Sequence, residues 1–313
     1  MPESRQNRKT LGSLMLLLTA AVWGMAFAFQ RAGMEHIGPL TFTAVRMACA
    51  ALAVGAVAGV SARLEKKGQP GLSPEARRAR RRGELLGGVC CGLFLLAANV
   101  LQQTGLVYTT AGKAGFITAL YIILVPVIGV LFFRKKVSRR LWLAVLLGAL
   151  GLYLLCVNES FRLTRGDTLV CLSALVFSGH ILCCDHFAPR GNPLRMSAIQ
   201  FLTVSVLASV PALLVERPNW SGILAAAVPI LYCGVISAGV GYTLQMTAQK
   251  YTDPGVASLL MSLESVFAVL GGALLLGERL TGRELLGCGV MFAAIILAQL
   301  PDHHSAGDKI PVD

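Results

Sequence analysis

Charge is scarce in this 313-residue chain: Asp, Glu, Lys and Arg together make up 14% of it, against about 25% in a soluble globular domain. Hydrophobic residues reach 55%, and the mean hydropathy is +0.67. Too little charge is present to coat an ordinary water-soluble fold. The apolar residues fall in long blocks, as they do in integral membrane proteins. No Gly-x-x-x-x-Gly-Lys-[Ser/Thr] loop, His-Glu-x-x-His pair or Gly-x-Ser-x-Gly elbow occurs. Direct nucleotide drive and the corresponding hydrolytic chemistries therefore have no foundation in the sequence, and no enzyme is expected. No two of the nine cysteines are spaced Cys-x-x-Cys. They sit in or at the ends of apolar spans and read as small apolar filler, not as a disulfide framework. Cys183-Cys184-Asp185-His186 carries ligand-type residues but lacks a matching second pair, so neither a metal nor a cofactor is expected.

The charge that is present leans basic, with a formal net charge of +12. Its densest run, "RRARRRG" from Arg77 to Gly83, falls between two apolar spans. Basic clusters in short loops beside membrane spans set orientation and meet anionic lipid, so the expected partner is the bilayer and not nucleic acid. The start, "RQNRKTLGSLMLLLTAAVWGMAFA", has the basic head, apolar run and Ala-x-Ala end (Ala26-Phe27-Ala28) of a secretory signal. It is kept as a helix because it has a partner later in the chain.

A spanning helix needs about 20 mostly apolar residues. Ten candidates follow: Leu11–Arg31, Leu40–Val60, Leu85–Gly105, Ala114–Phe133, Leu141–Val157, Thr168–Cys184, Met196–Val215, Ile223–Leu244, Gly255–Leu276 and Leu285–Leu300. Turn residues punctuate the gaps, as in "HIGP", "TTAGK", "LTRGD", "PRGNP", "ERPNW" and "YTDPG". Ser61 to Leu85 reads as a long, flexible basic loop. Basic residues crowd the segment before the first span and the second-to-third and fourth-to-fifth loops, which predicts both termini in the cytoplasm.

The chain also repeats itself. "YTTAGKAGFITALYIILVPVIGVLFFRKKVSRR" from Tyr108 lies over "YTDPGVASLLMSLESVFAVLGGALLLGERLTGR" from Tyr251 without gaps. Gly112 meets Gly255, Leu120 meets Leu263 and Arg140 meets Arg283. The same register pairs Gln102 with Gln245. Separately, "GSLMLLLTAAVWG" from Gly12 matches "GDTLVCLSALVFS" from Gly166. Five spans per copy is an odd number, so the second copy enters the membrane from the opposite side. The expected fold is all-α and integral to the membrane: ten transmembrane helices as two inverted five-helix repeats, residues 11–157 and 166–300. Short cytoplasmic tails, 1–10 and 301–313, flank them. Inverted repeats place a binding site near the midplane and allow alternating access.

Polar residues inside such spans are expensive and become functional candidates. Glu264 stands near the middle of the ninth span, and its repeat partner is Tyr121. Low-dielectric surroundings favour the uncharged form of a carboxyl, which suits a protonation switch; interhelical packing is the alternative role. Asn99, Gln102 and Gln103 share one helix face, as do Ser237, Gly241, Tyr242 and Gln245. The repeat pairs Asn99 with Tyr242. Two related polar faces suit a cavity lining, with interhelical hydrogen bonding as the alternative. His180 is a candidate relay or substrate contact, or a residue bonded to a neighbour. Trp23 is a candidate cavity aromatic or a packed one. Arg46 reads as a structural or gating charge, and Glu278 as a helix-end carboxylate that can pair with Arg279 or Arg283.

In these segments the chain resembles the EamA family of the drug/metabolite transporter superfamily, along nearly its whole length. The carriers are "AVWGMAFAFQR", "IGPLTFTAVRMACAAL" with Arg46 at the family's arginine position, the two matched segments from Tyr108 and Tyr251, and Glu264 and Glu278 at two family glutamates. Ser265 stands where the family usually has proline, which puts a helix kink there in doubt; "FRKKVS" replaces the Gly-Glu-Arg pattern in the first half. The resemblance implies a ten-helix secondary transporter that moves a small metabolite, amino acid or drug-like solute, often outward. The setting expected is the plasma membrane (the inner membrane of a bacterium), with protons and a second copy of the chain as open partners. A membrane-embedded receptor or scaffold without transport activity is the competing expectation.

Overall fold

The computed structural model describes residues 2–68, 73–156, 164–276 and 281–300, and nearly all of them are helical. The first half runs α1 (Pro2–Gly33), α2 (Pro39–Gly68), α3 (Pro74–Val107), α4 (Ala111–Ala119), α5 (Tyr121–Phe133) and α6 (Arg139–Cys156). The second runs α7 (Arg165–Phe187), α8 (Pro193–Pro211), α9 (Trp220–Ala225), α10 (Ala227–Leu231), α11 (Thr243–Ala248), α12 (Pro254–Met261), α13 (Glu264–Leu276) and α14 (Gly282–Gln299). A π-helical stretch, Tyr232–Tyr242, joins α10 to α11. Among the described residues, eight helical stretches are long and apolar enough to cross a membrane. The protein is an all-α integral membrane protein of two repeats. Leu52, Phe132 and Leu214 project from it largely uncovered. In lipid such side chains are already in an apolar solvent, so exposure costs nothing.

The turn residues become helix caps. The side chains of Thr110, Thr164, Asn192, Asn219 and Asp253 each accept a hydrogen bond from the first turn of the helix that follows. Each satisfies a backbone donor that the helix itself cannot. Thr164 and Asp167 complete a reciprocal capping box, and so do Thr281 and Glu284.

Two sequence expectations are corrected. The basic stretch from Ser61 to Leu85 is not an open loop where it is described: α2 continues to Gly68 and α3 begins at Pro74, so Arg77–Arg82 are helical. Ala, Arg and Glu are strong helix formers, and Ser73 with Pro74 starts the helix cleanly. Helix α1 starts at Pro2. The second correction is that the ninth span breaks despite lacking a proline at Ser265. It stops at Met261 and restarts at Glu264, with the amides of Leu263 and Ser265 reaching back three residues instead of four. The fourth span breaks at Leu120, the position matched to Leu263. Glu278, Arg279, Val157 and the 301–313 tail lie outside the described residues.

Side-chain contacts sort the helix ends onto two faces. On one, Lys135 pairs with Asp185, Arg80 and Arg195 hold Glu84, Lys250 Nζ donates to the Gly191 carbonyl at 2.9 Å, and Arg8 lies over the Tyr251 ring. Burial pushes the Lys250 ammonium below its usual pKa, helped by Arg80 nearby. On the other, Lys113 pairs with Asp167 at 2.5 Å, Arg31 donates to the Thr109 carbonyl at 2.9 Å, and Glu216 accepts from the amides of Leu40 and Thr41. The first is called the basic face below. Helices meet closely where glycine allows it: a Cβ on Gly166 would lie 2.6 Å from the Gly105 carbonyl oxygen, so α3 and α7 pack backbone on backbone there.

Candidate functional site

Both helix breaks point at one place. Tyr121 opens α5 and Glu264 opens α13, and the Tyr121 hydroxyl donates to Glu264 Oε1 at 3.1 Å. Two residues matched by the repeat thus meet across the axis that relates the halves. Both are buried, at 3% exposure each. They line a cavity of about 40 Å³ in the middle of the bundle. That is room for a few waters at about 10–15 Å³ each, and too little for a metabolite.

The wall draws on both repeats. Helix α1 contributes Trp23, Ala26, Phe27 and Gln30; α2 contributes Arg46; α3 contributes Asn99 and Gln102. Thr118 precedes the first break, Phe177 comes from α7, and Ser237 and Tyr242 come from the π-helical stretch. A carbonyl of that stretch takes a side-chain bond: Trp23 Nε1 donates to the Ser237 oxygen at 3.0 Å. The Trp23 ring then lies tilted against Tyr242, centroids 4.7 Å apart. π-Helical segments inside α-helices often mark functional sites because they release backbone groups and turn side chains. Gln102 Nε2 donates to Thr118 Oγ1 at 3.0 Å, and Asn99 Nδ2 donates to the Leu95 carbonyl at 2.8 Å.

Arg46 is the cation of the wall. It is 2% exposed, one Nη donates to Asn99 Oδ1, and the guanidinium lies over the Phe42 ring at 5.5 Å. Its Nε has no hydrogen-bond partner. The sequence marked it as a structural or gating charge; among the described residues no carboxylate forms a salt bridge with it. A buried guanidinium without a counter-ion is costly, and a ligand anion would offset that cost.

Of the residues singled out from sequence, Glu264, Tyr121, Asn99, Gln102, Tyr242, Trp23 and Arg46 meet at this cavity. His180 and Gln245 do not. His180 lies behind Tyr242, ring edge to face at 5.7 Å, and its Nε2 is 3.2 Å from Gln200 Oε1. Gln245 Nε2 turns to Gln249 at 3.1 Å. Thr118, Phe177 and Gln30 were missed. Phe177 could have been found, because the match of Gly12 to Gly166 sets it opposite Trp23.

Helix α1 is pressed against the start of α13 at Gly24, where a Cβ would fall 2.6 Å from the Glu264 carbonyl oxygen and 2.8 Å from the Ala268 amide nitrogen. Gly24→Val is expected to destabilise the fold by about 1–3 kcal/mol through overpacking. A lowered melting temperature in detergent would register it, and an unchanged one would refute this packing.

An all-α inverted repeat spanning the membrane around a buried polar cavity is the architecture of a membrane transporter. The chain belongs to the EamA-like transporter family, whose model matches residues 10–157 and 164–300. It is 27% identical to an uncharacterized transporter of Archaeoglobus fulgidus, over 94% of this chain and 87% of that protein. It is 25% identical to the uncharacterized inner membrane transporter YedA of Escherichia coli K12, over 95% and 92% of the two chains. A probable terminal-alkyne amino-acid exporter of Streptantibioticus cattleyicolor is 24% identical, over 87% and 93%. Among solved structures, one crystal structure matches in fold with a TM-score of 0.72 at 18% identity, over 92% of this chain and 96% of that one.

Proposed function

We propose that the protein is a secondary carrier which exports a small zwitterionic solute of the amino-acid class by alternating access, and not a receptor, scaffold or enzyme. The observation that carries this is one buried cation and one buried carboxylate on the wall of a single cavity, Arg46 and Glu264, with Trp23, Phe177 and Tyr242 on the same wall. Arg46 with its free Nε suits the solute's carboxylate, and Glu264 suits its ammonium or a coupling proton. The aromatic residues offer apolar surface and ring faces to the rest of the molecule. A space that holds only a few waters requires the halves to part before a solute enters, which rocking of inverted repeats provides. The name of the Streptantibioticus relative favours export of amino acids, and that of YedA favours the bacterial inner membrane. Positive-inside asymmetry favours cytoplasmic termini, with the basic face inward.

The test is competition in reconstituted vesicles. Flux of labelled amino acids is expected to be inhibited by free amino acids, weakly by their amides, and weakly by their N-acetyl derivatives. Equal inhibition by all three would overturn the zwitterion assignment, because each derivative removes one of the two charges.

A further inference from the structure

The repeat pairs more residues than those at the midplane, and the two members of a pair are not always treated alike. Trp23 and Phe177, Asn99 and Tyr242, and Tyr121 and Glu264 are matched, and both members of each pair line the cavity. The axis relating the halves therefore passes close to them. Four further pairs are split between the cavity and its surroundings. Continued from Gly12 and Gly166, the register sets Ala26 against His180 and Gln30 against Cys184; Pro39 and Pro193 then align, setting Arg46 against Gln200. Gln102 is matched to Gln245. In all four cases the first member lines the cavity and the second does not.

The second members form a layer of their own, between the cavity and the basic face. His180 and Cys184 lie on α7 just before Asp185, which pairs with Lys135 on that face. Gln200 is bonded to His180, and the Cys184 sulfur is 3.5 Å from His180 Nε2. Gln245 leads through Gln249 to the Ile181 carbonyl. None of His180, Cys184, Gln200 and Gln245 is more than 1% exposed. Yet Gln200 Nε2 and Gln245 Oε1 have no partner. Leaving such atoms dry is costly, because they forfeit their bonds to water and gain none in return. A conformer that lets water reach them removes the cost.

Resting on the carrier reading above, we propose that His180, Cys184, Gln200 and Gln245 line a second half-cavity, which opens to the basic face when the present one closes. In an inverted repeat, the wall that one half shows to one side is the wall the other half shows to the opposite side. The present cavity is thus the template for the hidden one, and the chemistry differs at one decisive place: neutral Gln200 stands where Arg46 does. The second chamber hydrogen-bonds its occupant without a cationic anchor. It suits water and neutral or zwitterionic solutes, and it presents no guanidinium to a lone anion.

The native thiol of Cys184 reports on this chamber without mutation. Wild-type protein in sealed vesicles of each orientation is treated with a charged, membrane-impermeant thiol reagent, and Cys184 is followed by mass spectrometry. Solute flux is measured in the same vesicles. The expected result is labelling of Cys184 from the basic face and none from the opposite face, with Gln30→Cys showing the reverse. Cys184 unlabelled from both faces in vesicles that carry flux would overturn the proposal, and so would labelling from the opposite face. Side-specific labelling without flux would leave the chamber standing and sink the carrier reading.

Discussion

Glu264→Gln is expected to lower the transport rate by about tenfold to a hundredfold, the effect of losing a charged hydrogen bond worth about 1.5–3 kcal/mol. Glutamine keeps the shape and can still accept from the Tyr121 hydroxyl, which lies 3.1 Å from the carboxylate. Insertion and thermal stability are therefore expected to stay close to wild type. What disappears is the ionisable carboxyl at the crossing point of the two repeats. Vesicles with and without an imposed pH gradient separate the two roles open to this carboxylate. A mutant that keeps slow flux but ignores the gradient identifies Glu264 as the coupling group. A mutant that loses flux under both conditions makes it a solute anchor. Kinetics identical to wild type would reduce it to a packing residue.

Arg46→Gln is the second large effect. The substitution copies the residue that the repeat places opposite, Gln200, and it preserves a donor for Asn99. With the solute's carboxylate deprived of a charged partner, KM is expected to rise about tenfold to a hundredfold. The maximal rate should change less. Arg46→Lys is expected to restore only part of the affinity, because an ammonium cannot present a planar fork to a carboxylate while also holding Asn99. A fall in maximal rate at unchanged KM would instead assign Arg46 to gating.

Much of this architecture was legible in the sequence. The gap-free match from Tyr108 to Tyr251 set Tyr121 opposite Glu264, and the two turn out to touch. Turn clusters such as "PRGNP" and "YTDPG" marked helix starts because Asn192 and Asp253 are caps with proline at the next position. The π-helical stretch Tyr232–Tyr242 was hidden, since an apolar window has the same hydropathy whichever carbonyl each amide reaches. The helical course of Arg77–Arg82 was hidden by charge, which suggests a solvated loop but says nothing of backbone conformation. His180 and Gln245 show the deeper limit. A repeat identifies equivalent residues, but not which member of each pair the packing brings to the cavity, so both look alike until the packing is known.

The most direct measurement is counterflow. Vesicles containing purified protein are loaded with an excess of unlabelled amino acid and diluted into a trace of the labelled form. A carrier with one central site exposed to alternate sides must accumulate label transiently above equilibrium, and that overshoot is the expected result. Label that enters no faster than into protein-free vesicles, or that equilibrates without overshoot, would contradict a carrier built around Arg46 and Glu264.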